Sequence, residues 1–219
     1  MKSLQKFGGF SALYMAAAHL IGIVTFLVVL DYLSITDPAQ KVTLLIEKQA
    51  VIFTTNLLMY VFFGFFLIVL SLALYDRLKS GAPALMQVAA VIGIIWAGSL
   101  IASGMVANAG LATIIPLYAK DPLQASLTWQ GIETVANGLG NANGEILGGF
   151  WALLVSIAAL RAGGLPKALN ILGFVVGAVG ILTIIPALNT YVAVFGLGQI
   201  VWFIWLGIVL LLRNPEKTA

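Results

Sequence analysis

The stretch "NGLGNANGEILGGF", residues 137–150, decides how this chain is divided into membrane helices. Three asparagines, five glycines and one glutamate stand here at the start of an otherwise apolar segment. Only 15 uncharged residues separate Glu145 from Arg161. At about 1.5 Å per residue, a helix of that length is too short for a hydrocarbon core of about 30 Å. The stretch therefore predicts a helix that begins before Glu145 and carries this acid and Asn141 into one leaflet.

The composition of the whole chain is that of an integral membrane protein. Of the 219 residues, 61% are hydrophobic and 9% are charged, against roughly 45–50% and about 25% in soluble domains. This predicts an all-α integral membrane protein, with residues 1–219 forming a single transmembrane domain and the lipid bilayer as its main partner. The net charge of +3 gives no indication of nucleic-acid binding.

Long charge-free runs predict six transmembrane helices. The last run, 168–212, is long enough for two helices and carries a turn signal at Pro186. The predicted spans lie near 10–30, 51–75, 85–108, 143–161, 168–186 and 191–212.

Lysine and arginine are distributed unevenly between the two sets of connecting segments. One side has only Lys41, Lys48 and Lys120. The other side has Lys2, Lys6, Arg77, Lys79, Arg161, Lys167, Arg213 and Lys217. Because basic residues are retained on the cytoplasmic side, we expect both termini to be cytoplasmic and Glu145 to lie toward the outer face.

Residues 1–166 show the pattern of an internal repeat. "DPAQ" at 37–40 is followed by "DPLQ" at 121–124, and Asn56 matches Asn141 at nearly the same offset. We interpret residues 1–83 and 84–166 as two copies of one unit, followed by a shortened third hairpin, 167–219. The predicted fold is thus three in-out-in hairpins.

Each Asp-Pro pair predicts the start of a helix between two spans. Asp37 and Asp121 supply an N-cap acceptor, and the proline after each suits the first helical position. These are the predicted short outer amphipathic helices after spans 1 and 3. In the second helix, an apolar face is predicted from Leu123, Leu127, Ile132, Val135 and Leu139, with Trp129 at the membrane interface.

Small residues at a spacing of four predict close helix packing. If residues 140–148 form one helix, Gly140, Gly144 and Gly148 form a stripe along it. Gly173 and Gly177 form a similar stripe on the predicted fifth span. Small residues let two membrane helices approach closely. A polar stripe lies beside the stripe of Gly140, Gly144 and Gly148 and consists of Asn137, Asn141 and Glu145. Because polar side chains that face lipid are costly, this polar stripe should face the bundle interior or a water-filled cavity.

A polar cluster in the outer half of the bundle is the candidate functional site. Its predicted ligand-binding residues are Glu145, Asn141, Asn56, Gln199, His19 and Asn108. Buried asparagine and glutamine also hold membrane helices together without any ligand, and His19 could be a core histidine. An intramembrane acid is a functional candidate by default, which singles out Glu145.

Residue usage excludes several cofactor sites. Cysteine is absent and His19 is the one histidine. A bis-histidine haem, an iron–sulfur cluster and a cysteine zinc site are therefore impossible within one chain, and we predict no metal site. The identity of any other cofactor stays open. No phosphate-binding loop or metalloprotease motif occurs, and no catalytic residues are predicted.

The segment "GEILGGFWALLVSIAALRAGGLPKALNILGFVVGAVGIL", 144–182, resembles a known family. It is similar to the small six-helix prokaryotic membrane proteins grouped as domain of unknown function 4386, in its polar-to-glycine entry, its "GGLPKAL" turn and its glycine-rich fifth span. The resemblance implies a multi-pass protein of the prokaryotic cytoplasmic (inner) membrane. It brings no assigned activity.

Three functions remain open at this point. The first is an accessory subunit that packs against other membrane subunits or itself through glycine-rich faces. The second is a small permease or sensor that binds a small apolar or weakly polar ligand near Glu145. An intramembrane enzyme using Glu145 and His19 is disfavoured, since their predicted depths differ by on the order of 10 Å. We therefore expect no enzyme.

Overall fold

The computed structural model describes residues 2–140 and 145–212, and these are helical with no strand among them. The helices are α1 (Lys2–Ile23), α2 (Pro38–Glu47), α3 (Gln49–Asn56), α4 (Phe63–Leu78), α5 (Pro83–Tyr118), α6 (Pro122–Leu139), α7 (Ile146–Ala162), α8 (Lys167–Leu182) and α9 (Val192–Leu212). Two π-helical segments, Val24–Val29 and Leu57–Phe62, continue α1 and join α3 to α4. Short 3₁₀ turns lie at Tyr32–Ser34 and Pro186–Tyr191.

Four helical segments among these residues are long and apolar enough to cross a membrane. They are Ser3–Val29, Gln49–Leu78, Pro83–Tyr118 and Pro186–Leu212. The remaining apolar helices, α7 and α8, have 17 and 16 residues. The chain is thus an all-helical protein with the segments of a membrane protein.

The polar stretch 137–150 does not lie within one helix, since α6 ends at Leu139 and α7 begins at Ile146. Gly140 ends α6, where its N–H donates to the Ala136 carbonyl at 2.8 Å. Glu145 is the N-cap of α7, which begins at Ile146. The prediction of a helix beginning before Glu145 is therefore wrong, and so is the single stripe from Gly140 to Gly148. Asparagine and glycine favour helix ends over helix interiors, which explains the break.

Both Asp-Pro pairs start helices as predicted. The Asp37 carboxylate accepts from the N–H of Ala39 at 2.8 Å, and that of Asp121 accepts from the N–H of Gln124 at 3.0 Å. These bonds satisfy N–H groups that have no partner within the helix. The cap prediction is confirmed for α2 and α6.

The face of α6 that packs against the protein is not the predicted apolar face. Leu123, Leu127 and Val135 are exposed, whereas Ala125 and Trp129 are buried. Trp129 also donates a hydrogen bond to the Tyr32 hydroxyl at 3.3 Å. The large indole and its polar contact turn Trp129 toward the protein, and the exposed leucines and Val135 remain available to a membrane surface, as an amphipathic helix requires.

The contacts divide the described chain into two units. The first unit comprises the described parts of Met1–Ala17, Gly64–Gly98 and Asn143–Ala219. In this unit α7 and α8 pack closely, since a methyl group at Gly177 would lie 2.7 Å from the Gly149 carbonyl oxygen. Glycine is therefore the residue that permits this approach.

The second unit comprises Ala18–Phe63 and the described part of Ser99–Ala142. It contains α2, α3 and α6 with parts of the long helices. Its core is apolar and is formed by Leu30, Val42, Leu45, Ile52, Leu111, Ile114, Ala125 and Trp129.

Candidate functional site

Gln199 is the most unusual polar residue of the first unit. It lies on α9 and none of its surface is exposed. Neither its amide nitrogen nor its amide oxygen has a hydrogen-bond partner among the residues that the structure describes. Buried polar side chains are normally hydrogen-bonded, so an amide with both atoms unpaired needs an explanation.

Aromatic rings lie on the same face of α9 as Gln199 and pack against rings of other helices. Trp202 and Phe203 follow Gln199 by three and four residues and therefore lie on the same helix face. The Trp151 ring on α7 meets that of Trp202 edge-on at 5.6 Å and that of Phe203 at 6.3 Å. Trp96 of α5 completes the group, 5.8 Å from Trp151. The Gln199 amide thus lies on a face that packs against an apolar, aromatic interior.

Two serine–tryptophan pairs lie in the same unit, each beside a glycine. A methyl group at Gly93 would clash with the Ser71 hydroxyl and the Trp151 indole nitrogen. One at Gly173 would clash in the same way with Ser156 and Trp202. These four polar atoms are buried and unpaired within the described chain. Each serine hydroxyl and indole nitrogen of a pair lie within 3 Å of the same point, the position of the absent methyl group, so each group has a neighbour of matching chemistry.

Glu145 belongs to the same unit as Gln199. Its backbone N–H donates to the Thr183 hydroxyl at 2.9 Å, and that hydroxyl donates to the Gly180 carbonyl at 2.6 Å. The Glu145 side chain is partly buried. Phe195, one turn before Gln199 on α9, lies against both Gly148 and Gly180. Phe195 therefore packs beside the first turn of α7, which Glu145 caps.

Two other predicted site residues pair in the second unit. The Asn56 amide donates to the Asn108 side-chain oxygen at 2.9 Å, and the Asn108 amide donates to the Phe53 carbonyl at 3.2 Å. His19 lies in this unit with its ring edge-on to Phe63 at 5.0 Å. The structure thus brings Asn56 and Asn108 together. Asn141 and Gly144 lie outside the described residues.

The predicted packing glycines contact other helices of the same chain. Gly140 lies against Ser103, and Gly148 lies against Trp96 and Phe195. Gly177 faces the backbone of Gly149 and Leu153. Gly173 lies against Ser156 and Trp202.

An ionic network in the second unit escaped the sequence analysis. The Lys41 ammonium contacts the Glu133 carboxylate at 3.0 Å, and the Tyr32 hydroxyl donates to the same carboxylate at 2.8 Å. Burial and the nearby negative charge both raise the pKa of Tyr32 well above its usual value. The network joins α2 to α6. Because its members lie 92 and 101 positions from Glu133 in the chain, no local motif indicates the network.

Removing the Asn108 side chain should destabilise the second unit. In Asn108→Leu, the Asn56 amide loses its acceptor and the Phe53 carbonyl loses a donor, and Asn56 is buried. We expect a loss of about 1–3 kcal/mol in the free energy of unfolding. The measurement is SDS-induced unfolding in mixed micelles, followed by circular dichroism. Thr113→Val, at an exposed position of the same helix, should change it by less than about 0.5 kcal/mol. Equal effects of the two variants would contradict the assignment.

Comparison with known proteins yields one family. The family described as Domain of unknown function (DUF4386) has a model that matches residues 10–212. No curated protein and no solved structure matches the chain. Since the match covers nearly the whole chain, the protein belongs to the DUF4386 family.

Proposed function

We propose that this protein binds a small, uncharged, weakly polar molecule beside Gln199 in the interior of the first unit. It would act as a permease or a sensor, without a chemical step. The observation that carries the proposal is the fully buried Gln199 amide, whose nitrogen and oxygen both lack a partner in the described chain.

The energetic cost of an unsatisfied buried amide favours a bound molecule at Gln199. An unsatisfied buried polar group costs about 1–3 kcal/mol, and an amide has both a donor and an acceptor to satisfy. A ligand with a carbonyl or hydroxyl group would satisfy them once the packing around the fully buried side chain opens to admit it. The rings of Trp151, Trp202 and Phe203 on the same packed face suit an apolar body for this ligand. A charged ligand is disfavoured because desolvating it in this interior is expensive.

We further propose six crossings of the prokaryotic cytoplasmic membrane, with both termini cytoplasmic. The four long apolar segments support four of these crossings. With 17 and 16 residues, α7 and α8 span about 25 Å, slightly less than the average hydrocarbon core. Their polar ends, at Glu145, Arg161 and Lys167, would then lie near the headgroups. The uneven lysine and arginine distribution supports the orientation.

An accessory role through glycine-rich faces has less support. Gly148, Gly173 and Gly177 are filled by side chains or backbone of the same chain. A partner subunit, or a second copy, would have to use a different surface. Binding inside the first unit is therefore the function that we prefer.

Ligand-dependent stabilisation tests the proposal. The purified protein in mild detergent is heated with each member of a panel comprising menadione, retinol, decanol, acetamide and urea. A ligand at about 100 times its Kd adds about 2.7 kcal/mol, which corresponds to a rise in Tm of about 5–10 °C. We expect such a rise in the wild type for at least one panel member.

The matched variants are Gln199→Met and Gln130→Met. Gln130 is exposed on α6, so its replacement should leave the ligand-dependent rise unchanged. Gln199→Met keeps the side-chain length but removes the amide, and we expect the rise to disappear. The proposal fails if no panel member raises the wild-type Tm, or if Gln199→Met responds like the wild type.

A further inference from the structure

A groove in the second unit lies between α3 and α5. It has a volume of about 360 Å³, which is within the range of ligand pockets. Its lining residues are Gln49, Ala50, Phe53, Thr54, Asn108, Leu111, Ala112 and Ile115. Gln199 is not among them, so the groove is separate from the site proposed above.

The amide of Asn108, a polar lining residue of the groove, does not require a ligand. Asn108 accepts a hydrogen bond from Asn56 and donates one to the Phe53 carbonyl, so its amide already has protein partners. Most of the remaining lining is apolar, with Phe53, Leu111 and Ile115 as the largest side chains. An apolar occupant therefore fits this surface.

The position of the groove along the helices indicates which kind of apolar molecule occupies it. Gln49 is the first residue of one candidate membrane span, and Ile115 lies close to the end of another at Tyr118. From Ile115 to Asn108 the helix covers about 10 Å, within the roughly 15 Å depth of one leaflet. With the charged residues Glu47, Lys48, Lys120 and Asp121 placed at the headgroup level, the groove runs inward from them, along the direction of a lipid chain.

The charges at the headgroup end have both signs. Glu47 and Lys48 directly precede α3, while Lys120 and Asp121 follow α5, and all four are exposed. Lysine pairs with phosphate and a carboxylate pairs with ammonium. This combination complements a zwitterionic headgroup.

We propose that the groove holds one acyl chain of a zwitterionic phospholipid, whose headgroup lies at the Gln49 end. The lipid is a bound component of the second unit, and its chain covers Phe53 and Ile115. This site is independent of the ligand proposed for Gln199, so either proposal can fail while the other stands.

Lipid retention in a groove-filling variant tests this site. The full chain is placed in nanodiscs of equal parts palmitoyl-oleoyl phosphatidylethanolamine and phosphatidylglycerol, released into mild detergent, and examined by native mass spectrometry. Ala112 is an exposed lining residue, so Ala112→Phe should fill the groove without disturbing the core. Thr113→Phe places the same ring on the neighbouring exposed position, outside the lining.

We expect one phosphatidylethanolamine to be retained by the wild type and by Thr113→Phe. In Ala112→Phe its occupancy should fall by roughly tenfold, equivalent to about 1.4 kcal/mol. Circular dichroism of both variants checks that the helices are intact. Equal retention by all three proteins, or retention of phosphatidylglycerol in preference, would overturn the proposal.

Discussion

Gly177→Ala should lower the free energy of unfolding by about 3 kcal/mol or more. The added methyl group would lie 2.7 Å from both the Gly149 carbonyl oxygen and the Leu153 backbone nitrogen. Backbone atoms of a packed helix cannot turn aside as a side chain can, so α7 and α8 must separate. Overpacking typically costs about 1–3 kcal/mol, and contact with backbone places this variant at or above the upper end.

A glycine in open space provides the control for this prediction. Nothing lies within 4 Å of a methyl group placed at Gly196 in α9. Gly196→Ala should therefore raise the free energy of unfolding slightly, by up to about 1 kcal/mol, because alanine favours helix. Both variants are measured by SDS-induced unfolding followed by circular dichroism. If Gly177→Ala is as stable as the wild type, the close contact between α7 and α8 is wrong.

Truncating Trp151 should cost about 3–5 kcal/mol. Its side chain is fully buried, with the rings of Trp96, Trp202 and Phe203 within 6.3 Å. Removing an indole from such a site leaves a cavity and forfeits many van der Waals contacts, the main force between membrane helices. Trp151→Ala should therefore unfold at a markedly lower SDS fraction than the wild type.

The matched variant for this prediction is Trp205→Ala on α9. Trp205 is 37% exposed, so its loss should cost less than half as much as that of Trp151. Comparable losses would show that Trp151 is not at the centre of the first unit.

The helix starts and the apolar segments could be predicted from sequence because they depend on local chemistry. Asp37 and Asp121 accept hydrogen bonds from N–H groups two or three residues later, and charge-free runs need no tertiary information. The family was likewise identified from the segment 144–182, and the match over residues 10–212 confirms it.

Tertiary contacts could not be predicted in the same way. Asn56 and Asn108 pair, but one polar residue on each of several helices does not show which pairs meet. The end of α6 at Gly140 also escaped prediction, because the spacing of Gly140, Gly144 and Gly148 suits one continuous helix. The π-helical segments at Val24–Val29 and Leu57–Phe62 carry no proline or glycine to mark them.

The candidate site was predicted in part for a related reason. A polar residue within an apolar span is visible in the sequence, and Gln199 is predicted on that basis. Its complete burial and its position next to Trp202 on a packed helix face depend on how α7 and α9 meet. The tryptophans themselves do not indicate a binding site in the sequence, since aromatic residues are common both in membrane interiors and at membrane interfaces.

An experimental structure in lipid nanodiscs, at a resolution that separates water from larger molecules, tests the central claim most directly. The account predicts non-protein density larger than a water molecule within hydrogen-bond distance of the Gln199 amide nitrogen or oxygen. An amide bonded only to protein atoms or to a single water molecule would contradict it.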